Sequence, residues 1–174
     1  MIYYPREDSF LLEKEIKEYA KGKSFLDMGT GSGIQSRAAK QANAKSILSA
    51  DINEEALKEL KAQGFSTIKS NLFSNIKGKF DLIAFNLPYL PRDKREDKES
   101  ALTTTGGKEG DEIIIRFLKD AKKHLNKNGT ILLVVSSLTP KERILKILEK
   151  NSLSHKVISS QKFFFETLEV WEIK

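Results

Sequence analysis

Asp27, Gly29, Gly31 and Gly33 fall together in LDMGTGSG, and Asp51 follows in SADIN, twenty residues beyond Gly31. Glycines spaced in this way remove side chains from a turn and let its backbone approach a ligand closely. A carboxylate at the position of Asp51 can accept hydrogen bonds from both hydroxyls of a ribose. The other reading of Asp51 is a helix N-terminal charge, since Asn53 can cap the segment that follows. A dinucleotide fingerprint asks for glycine at 29, 31 and 34, but Ile34 occupies the last position and the third glycine sits at 33. Asp27 beside the loop would repel a pyrophosphate and attract an ammonium or sulfonium group. S-adenosyl-L-methionine carries both.

A second constellation reads NLPYLP, residues 86 to 91, directly after the apolar run FDLIAF. An amide, a kink and an aromatic ring at the mouth of a buried strand suit the holding of a planar group. Asn86 brings an acceptor and two donors on one side chain. Leu87, placed before Pro88, is biased to extended geometry.

These residues need elements to position them. Asp8 or Ser9 is expected to cap a first helix, about residues 6–20, with Phe10, Leu11, Ile16 and Tyr19 near helical spacing. SFLDM reads as a strand, the glycine loop as a turn, and Ile34 to Gln41 as a helix. SILSA is a second strand and NEEALKELKAQG an amphipathic helix closed by its glycine. FSTIKS and FDLIAFN are the next strands, DEIIIRFLKDAKKHL a helix, and GTILLVVSS a fifth strand whose apolar run suits a buried parallel position. Pro140 opens the helix KERILKILEK, and HKVISSQKFFFETLEVWEI reads as two strands joined by a short turn, hence antiparallel neighbours. The expected fold is therefore α/β, a mixed and mostly parallel sheet with helices on both faces. The stretch from about 87 to 110 fits neither class, and loops of that length are functional or disordered.

Composition sets the outer limits. The 174 residues fit one domain. No cysteine is present, and His124 and His155 form no ligand cluster, so no metal site is expected. The charged N-terminus resembles no signal peptide, and no apolar run approaches a membrane span, which leads to the expectation of a cytoplasmic protein without membrane contact. A net charge of +6, from 30 Lys and Arg against 24 Asp and Glu, hints at an anionic partner such as RNA, but the interleaving of Lys with Glu, as in EKEIKEYAKGK, reads rather as a solvated helix face.

The ordered set PREDSFLL, LDMGTGSG, DINEEAL, SNLF, NLPYLP and GGKEGDEII resembles the HemK-like protein glutamine methyltransferases, in particular their archaeal and eukaryotic branch. The resemblance runs from about Tyr3 to the last strand and implies a single Rossmann-like class I methyltransferase domain over residues 1–174. It implies seven strands with the last antiparallel. It further implies S-adenosyl-L-methionine as cofactor, held by Ser9, Asp27, Gly29, Thr30, Gly31 and Gly33, then by Asp51, Ile52, Asn71, Leu72 and Asn86. Asn71 stands where relatives commonly carry aspartate, and the alternative is an ordinary strand-end residue. The catalytic set implied is Asn86, Leu87, Pro88 and Tyr89, with Leu87 replacing the first proline of the usual NPPY. The implied substrate is the glutamine of the GGQ tripeptide in a class I release factor. The implied partner is a small zinc-binding activator on the third-strand edge, about Phe65 to Ser70, with nucleic acid involved only indirectly. NLPY is also the form found in adenosine dimethyltransferases acting on ribosomal RNA, so N6-adenine methylation stays open. A third alternative is a non-catalytic scaffold subunit.

Overall fold

A computed structural model describes residues 5–87 and 107–174 of the chain. Seven strands lie in the order β3-β2-β1-β4-β5-β7-β6. They are β1 (Ser24–Met28), β2 (Ser46–Asp51), β3 (Ser66–Lys69), β4 (Phe80–Phe85), β5 (Leu125–Ser136), β6 (His155–Lys162) and β7 (Thr167–Ile173). The first five pair in parallel, and β7 runs antiparallel to both β5 and β6. This is the mixed sheet expected from the sequence, with the seventh strand reversed.

Strand alternation divides the core in two. Leu26, Met28, Ile83, Phe85, Ile131 and Leu133 face α4 (Glu112–Ala121) and α5 (Glu142–Lys150), where they meet Ile114, Phe117, Leu118, Ile144 and Leu148. Phe25, Leu82, Ala84, Leu132 and Val134 face the other way, onto Leu12 and Ile16 of α1 (Glu7–Tyr19) and Ala38 and Ala39 of α2 (Ile34–Gln41). A further helix, α3 (Glu54–Ala62), packs on β2 and β3. No helix among the described residues is long and apolar enough to cross a membrane.

The helix read as DEIIIRFLKDAKKHL ends at Ala121, followed by a 3-10 turn over Lys122–His124; other boundaries differ as well, three of them for reasons that the packing or pairing shows. Neither Asp8 nor Ser9 caps α1: Arg6 is the N-cap, and both residues lie inside the helix, buried. The buried stripe of the helix, Ser9, Leu12 and Ile16, overrides the capping preference. Strand β5 begins at Leu125, not at Gly129, because Asn128 and Gly129 form an irregularity within the strand and not a turn before it. Asn128 has φ +64°, and the pairing with β4 shifts register between Phe80 and Leu82. Phe65 precedes β3 and is buried beneath Lys40, whose Nζ lies 5.2 Å from its ring centroid, so it does not contribute to an open edge. Residues 88–106, with Pro88, Tyr89, Thr103, Thr104, Thr105 and Gly106, lie outside the described residues.

The glycines separate by what surrounds them. Gly33, the N-cap of α2, has φ +79°, and a Cβ there would sit 2.2 Å from Leu60 Cδ2 of α3. Gly22 has φ +69° with open space around it. Gly33→Ala is therefore expected to cost about 2–4 kcal/mol of unfolding free energy in urea, against about 1–2 kcal/mol for Gly22→Ala. Equal losses at the two positions would contradict close α2–α3 packing as the reason for Gly33.

Candidate active site

The carboxyl ends of four adjacent parallel strands carry the residues singled out from the sequence. Met28 pairs with Ala50 on one side and with Phe85 on the other, and Asp51 pairs with Lys69. Asn86, Gly29, Asp51 and Ser70 consequently leave neighbouring strands along one rim. Ligands bind at this edge of open α/β sheets.

Asp27 points into the structure. It is 2 % exposed, and its Oδ2 accepts from Thr30 Oγ1 at 2.6 Å, Ser36 Oγ at 2.6 Å and Ser36 N at 3.0 Å. Ser36 Oγ lies in turn 2.6 Å from Ser49 Oγ of β2. Burial pushes the Asp27 carboxyl up to about 6, and the hydrogen bonds from Ser36 and Thr30 offset this only in part. The sequence reading placed this charge beside a bound cation; the structure uses it to tie the glycine loop to the first turn of α2.

Three donors of the loop built in this way are engaged within the protein. Thr30 N donates to Ala50 O at 3.0 Å, Gly31 N to Asp51 Oδ2 at 2.8 Å, and Gly33 N to Thr30 O at 2.7 Å. A phosphate cradle depends on free backbone N–H groups, and these three are already engaged. The structure thus counts against a pyrophosphate on this loop, as the glycine spacing did. Gly29, with φ +65°, has no room for a side chain, since a Cβ would meet Phe85 Cε2 at 2.9 Å. Gly33 serves helix packing, with its N–H spent inside the loop.

Asp51 is oriented before any ligand arrives. Its Oδ2 accepts from Gly31 N, and its Oδ1 from Asn53 N at 2.9 Å. Each oxygen keeps a further lone pair, so the carboxylate can still receive two hydroxyls. Asn53 also caps α3, its side-chain oxygen accepting from Glu55 N at 3.0 Å, as its position before the helix led one to expect. Beside it Ile52 is 54 % exposed, an apolar side chain offered to solvent at the site rim. A flat aromatic base could cover it.

After β3, Leu72 adopts φ +51°, held by the bond from Ser70 Oγ to its carbonyl at 2.6 Å. Asn71 Oδ1 accepts from Arg116 Nη2 at 3.2 Å, which leaves the Asn71 NH2 as the group available to a ligand. Arg116 was not singled out from the sequence. It lies on the exposed side of α4, where its helical spacing gave no sign of a site contact.

At β4 the Asn86 Nδ2 donates to Ser9 Oγ at 3.1 Å, and its Oδ1 is buried without a hydrogen-bond partner. A buried orphan acceptor costs about 1–3 kcal/mol until a donor reaches it. Leu87 turns its side chain into the core, at 2 % exposure. Gln35, also missed from the sequence, donates from Nε2 to Ser9 O at 2.9 Å and leaves its own buried Oε1 unpartnered. The first turns of α1 and α2 and the end of β4 thus meet at Ser9.

The sequence profile of the methyltransferase small domain matches residues 7–165. The chain belongs to this family. The methyltransferase is 37 % identical to a candidate protein N5-glutamine methyltransferase of Methanocaldococcus jannaschii, across 97 % of this chain and 89 % of that one. It is 34 % identical to the release factor glutamine methyltransferase of Borreliella burgdorferi across 76 % of its own length, which spans 52 % of that relative. Among solved structures, the E. cuniculi Mtq2–Trm112 complex, responsible for methylation of the translation termination factor eRF1, matches with TM-score 0.80 at 26 % identity, over 99 % of this chain and 98 % of that one. The ribosomal protein L11 methylase of Lactobacillus delbrueckii, at 23 % identity and TM-score 0.70, shares the fold.

The raised Asp27 carboxyl has a consequence for stability. Its favourable protonated contribution is complete below about pH 4, the unfolded range, and is lost as pH rises through about 6. Asp27→Asn carries no such loss. The stability of the variant relative to wild type is therefore expected to rise by on the order of 3 kcal/mol between pH 4 and 7 in urea titrations. Parallel pH profiles would show that Asp27 is not buried as described.

Proposed function

We propose that this methyltransferase transfers a methyl group from S-adenosyl-L-methionine to the side-chain amide nitrogen of a protein glutamine, the GGQ glutamine of a class I release factor. The observation that carries the proposal is the buried, unpartnered Asn86 Oδ1 on the same rim as Asp51. A glutamine NH2 offers two hydrogens. Asn86 Oδ1 would accept one and the main-chain carbonyl of Leu87 the other, and the family resemblance gives Tyr89, outside the described residues, the task of flanking the amide plane.

An amide nitrogen is a weak nucleophile because its lone pair is delocalised into the carbonyl. Two fixed acceptors on its hydrogens favour pyramidalisation and align the lone pair for in-line attack, so positioning supplies most of the help. As the N–C bond forms, the S–CH3 bond of the sulfonium would break and the neutral thioether S-adenosylhomocysteine would leave; the proton on nitrogen, acidic only once that bond forms, would pass to water, so no general base acts first. The bound cofactor supplies an electrophilic methyl on a sulfonium. Asp51 would hold the ribose hydroxyls through its spare lone pairs, Ile52 would cover the adenine, and the Asn71 NH2 would donate to the base edge. The spent loop N–H groups suit a cofactor without phosphates.

The likeness to Mtq2, solved as a complex with Trm112, supports a small partner, which we place on β3, an edge strand of the sheet. By this reading the partner is a zinc-binding activator that pairs along Ser66–Lys69 and covers Ile68. Residues 1–174 act as a single domain in the cytoplasm.

Two substitutions separate the roles. Asn86→Ala is expected to lower the rate of labelled methyl transfer to the release factor roughly 100-fold or more, with S-adenosylmethionine affinity kept within about threefold. Asp51→Ala is expected to weaken the cofactor by roughly 10- to 100-fold in calorimetry, the equivalent of charge-assisted hydrogen bonds. The opposite pattern would overturn both assignments.

A further inference from the structure

We propose that Ser9 is a positioning residue, and that Asp8 and Ser9 together dictate which way the Asn86 amide faces. The proposal rests on the glutamine reading of the site and deepens it. An amide side chain has two ends of nearly equal shape and opposite hydrogen-bonding character, and only one orientation presents an acceptor to a substrate NH2. Something must select it.

The selection begins with a carboxylate that can only accept. Asp8 Oδ1 receives the Ser9 main-chain N–H at 2.7 Å and the Ser9 hydroxyl at 3.3 Å, and both residues are buried in the first turns of α1. A serine hydroxyl has one proton. With that proton directed at Asp8, Ser9 Oγ has only lone pairs left for Asn86, and the partner it takes at 3.1 Å is the Nδ2 donor. Oδ1 must then point the other way, where it is buried and unpartnered. The same chain of bonds polarises the amide, since an N–H that donates strengthens the carbonyl as an acceptor. Gln35 fixes the other side of the clamp, holding Ser9 through its carbonyl at 2.9 Å, so the hydroxyl cannot drift with the helix end.

This assigns Ser9 a job different from the cofactor contact implied by the family resemblance, and the two jobs separate in measurement. In Ser9→Ala the acceptor for Nδ2 is lost and the amide can turn over. The turnover number for methyl transfer to the release factor is expected to fall roughly 10- to 100-fold, with S-adenosylmethionine affinity changed by less than about threefold. Ser9→Thr keeps a hydroxyl and is expected to restore most of the rate. If Ser9→Ala fails to fold, Ser9→Cys carries the same expectation, as a near-isostere with a poor acceptor. A cofactor dissociation constant raised tenfold or more with an unchanged rate at saturation would overturn the proposal, and so would no change in either quantity. Independently of turnover, the two Asn86 side-chain NH resonances of the 15N-labelled protein should be resolved and protected from exchange in wild type and in Ser9→Thr, and lose that protection in Ser9→Ala. Absence of glutamine transfer by the wild type would remove the substrate reading, and the NMR comparison alone would then decide the clamp: protection independent of residue 9 overturns it.

Discussion

One carboxylate oxygen holds the site together. Asp27 Oδ2 gathers two hydroxyls and a backbone N–H from Thr30 and Ser36, in a position where an unpaired charge would cost several kcal/mol. Each charge-assisted bond returns about 1.5–3 kcal/mol, and the raised carboxyl, at about 6, shows that burial still outweighs them. What the arrangement gains is geometry. The loop between β1 and α2 is fixed by its own internal bonds, Gly31 is turned so that its N–H meets Asp51, and the ribose-binding acid is set in place by the fold itself. Such preorganisation lowers the ordering cost of binding.

From that joint the rim follows strand by strand. The parallel register brings Asn86 beside Gly29 and Gly29 beside Asp51, so the group that would hold a substrate amide and the group that would hold a ribose lie two strand spacings apart, roughly 10 Å. A pyrophosphate would find the donors of Thr30, Gly31 and Gly33 occupied. A cofactor that needs hydroxyl acceptors, an apolar face and no anion cradle fits what remains, and membership of the methyltransferase small domain family agrees with this chemistry.

Much of this was legible because apolar periodicity and turn residues act locally. SFLDM, Ile34 to Gln41 and the terminal hairpin fell where read, as did the cap at Asn53. The direction of Asp27 was also encoded, though less openly: with Leu26 and Met28 on one face, period-two alternation sends Asp27 to the other, toward Ser36. Ser9 belongs to the same class of signal, a polar residue at helical spacing from Leu12 and Ile16 and therefore in the buried stripe. Reading it as a cap mistook burial for a helix end. Contacts between remote segments left no local trace. Arg116 on Asn71 and Gln35 on Ser9 join residues 45 and 26 positions apart, and no spacing rule reaches that far. The irregularity at Asn128 and Gly129 misled for the opposite reason, since its residue types also make turns.

The central claim is that the rim is an amide clamp, and the position of the transferred methyl group tests it most directly. The protein, with and without the small partner proposed for its β3 edge, is incubated with methyl-labelled S-adenosylmethionine, the release factor of its own organism, a release factor with arginine in place of the GGQ glutamine, and ribosomal RNA. Tandem mass spectrometry then locates the label. The account requires one methyl group on the side-chain nitrogen of that glutamine, and none on the arginine variant or the RNA. A methyl group on an adenine amine, or on a protein side chain other than a glutamine amide, would contradict it.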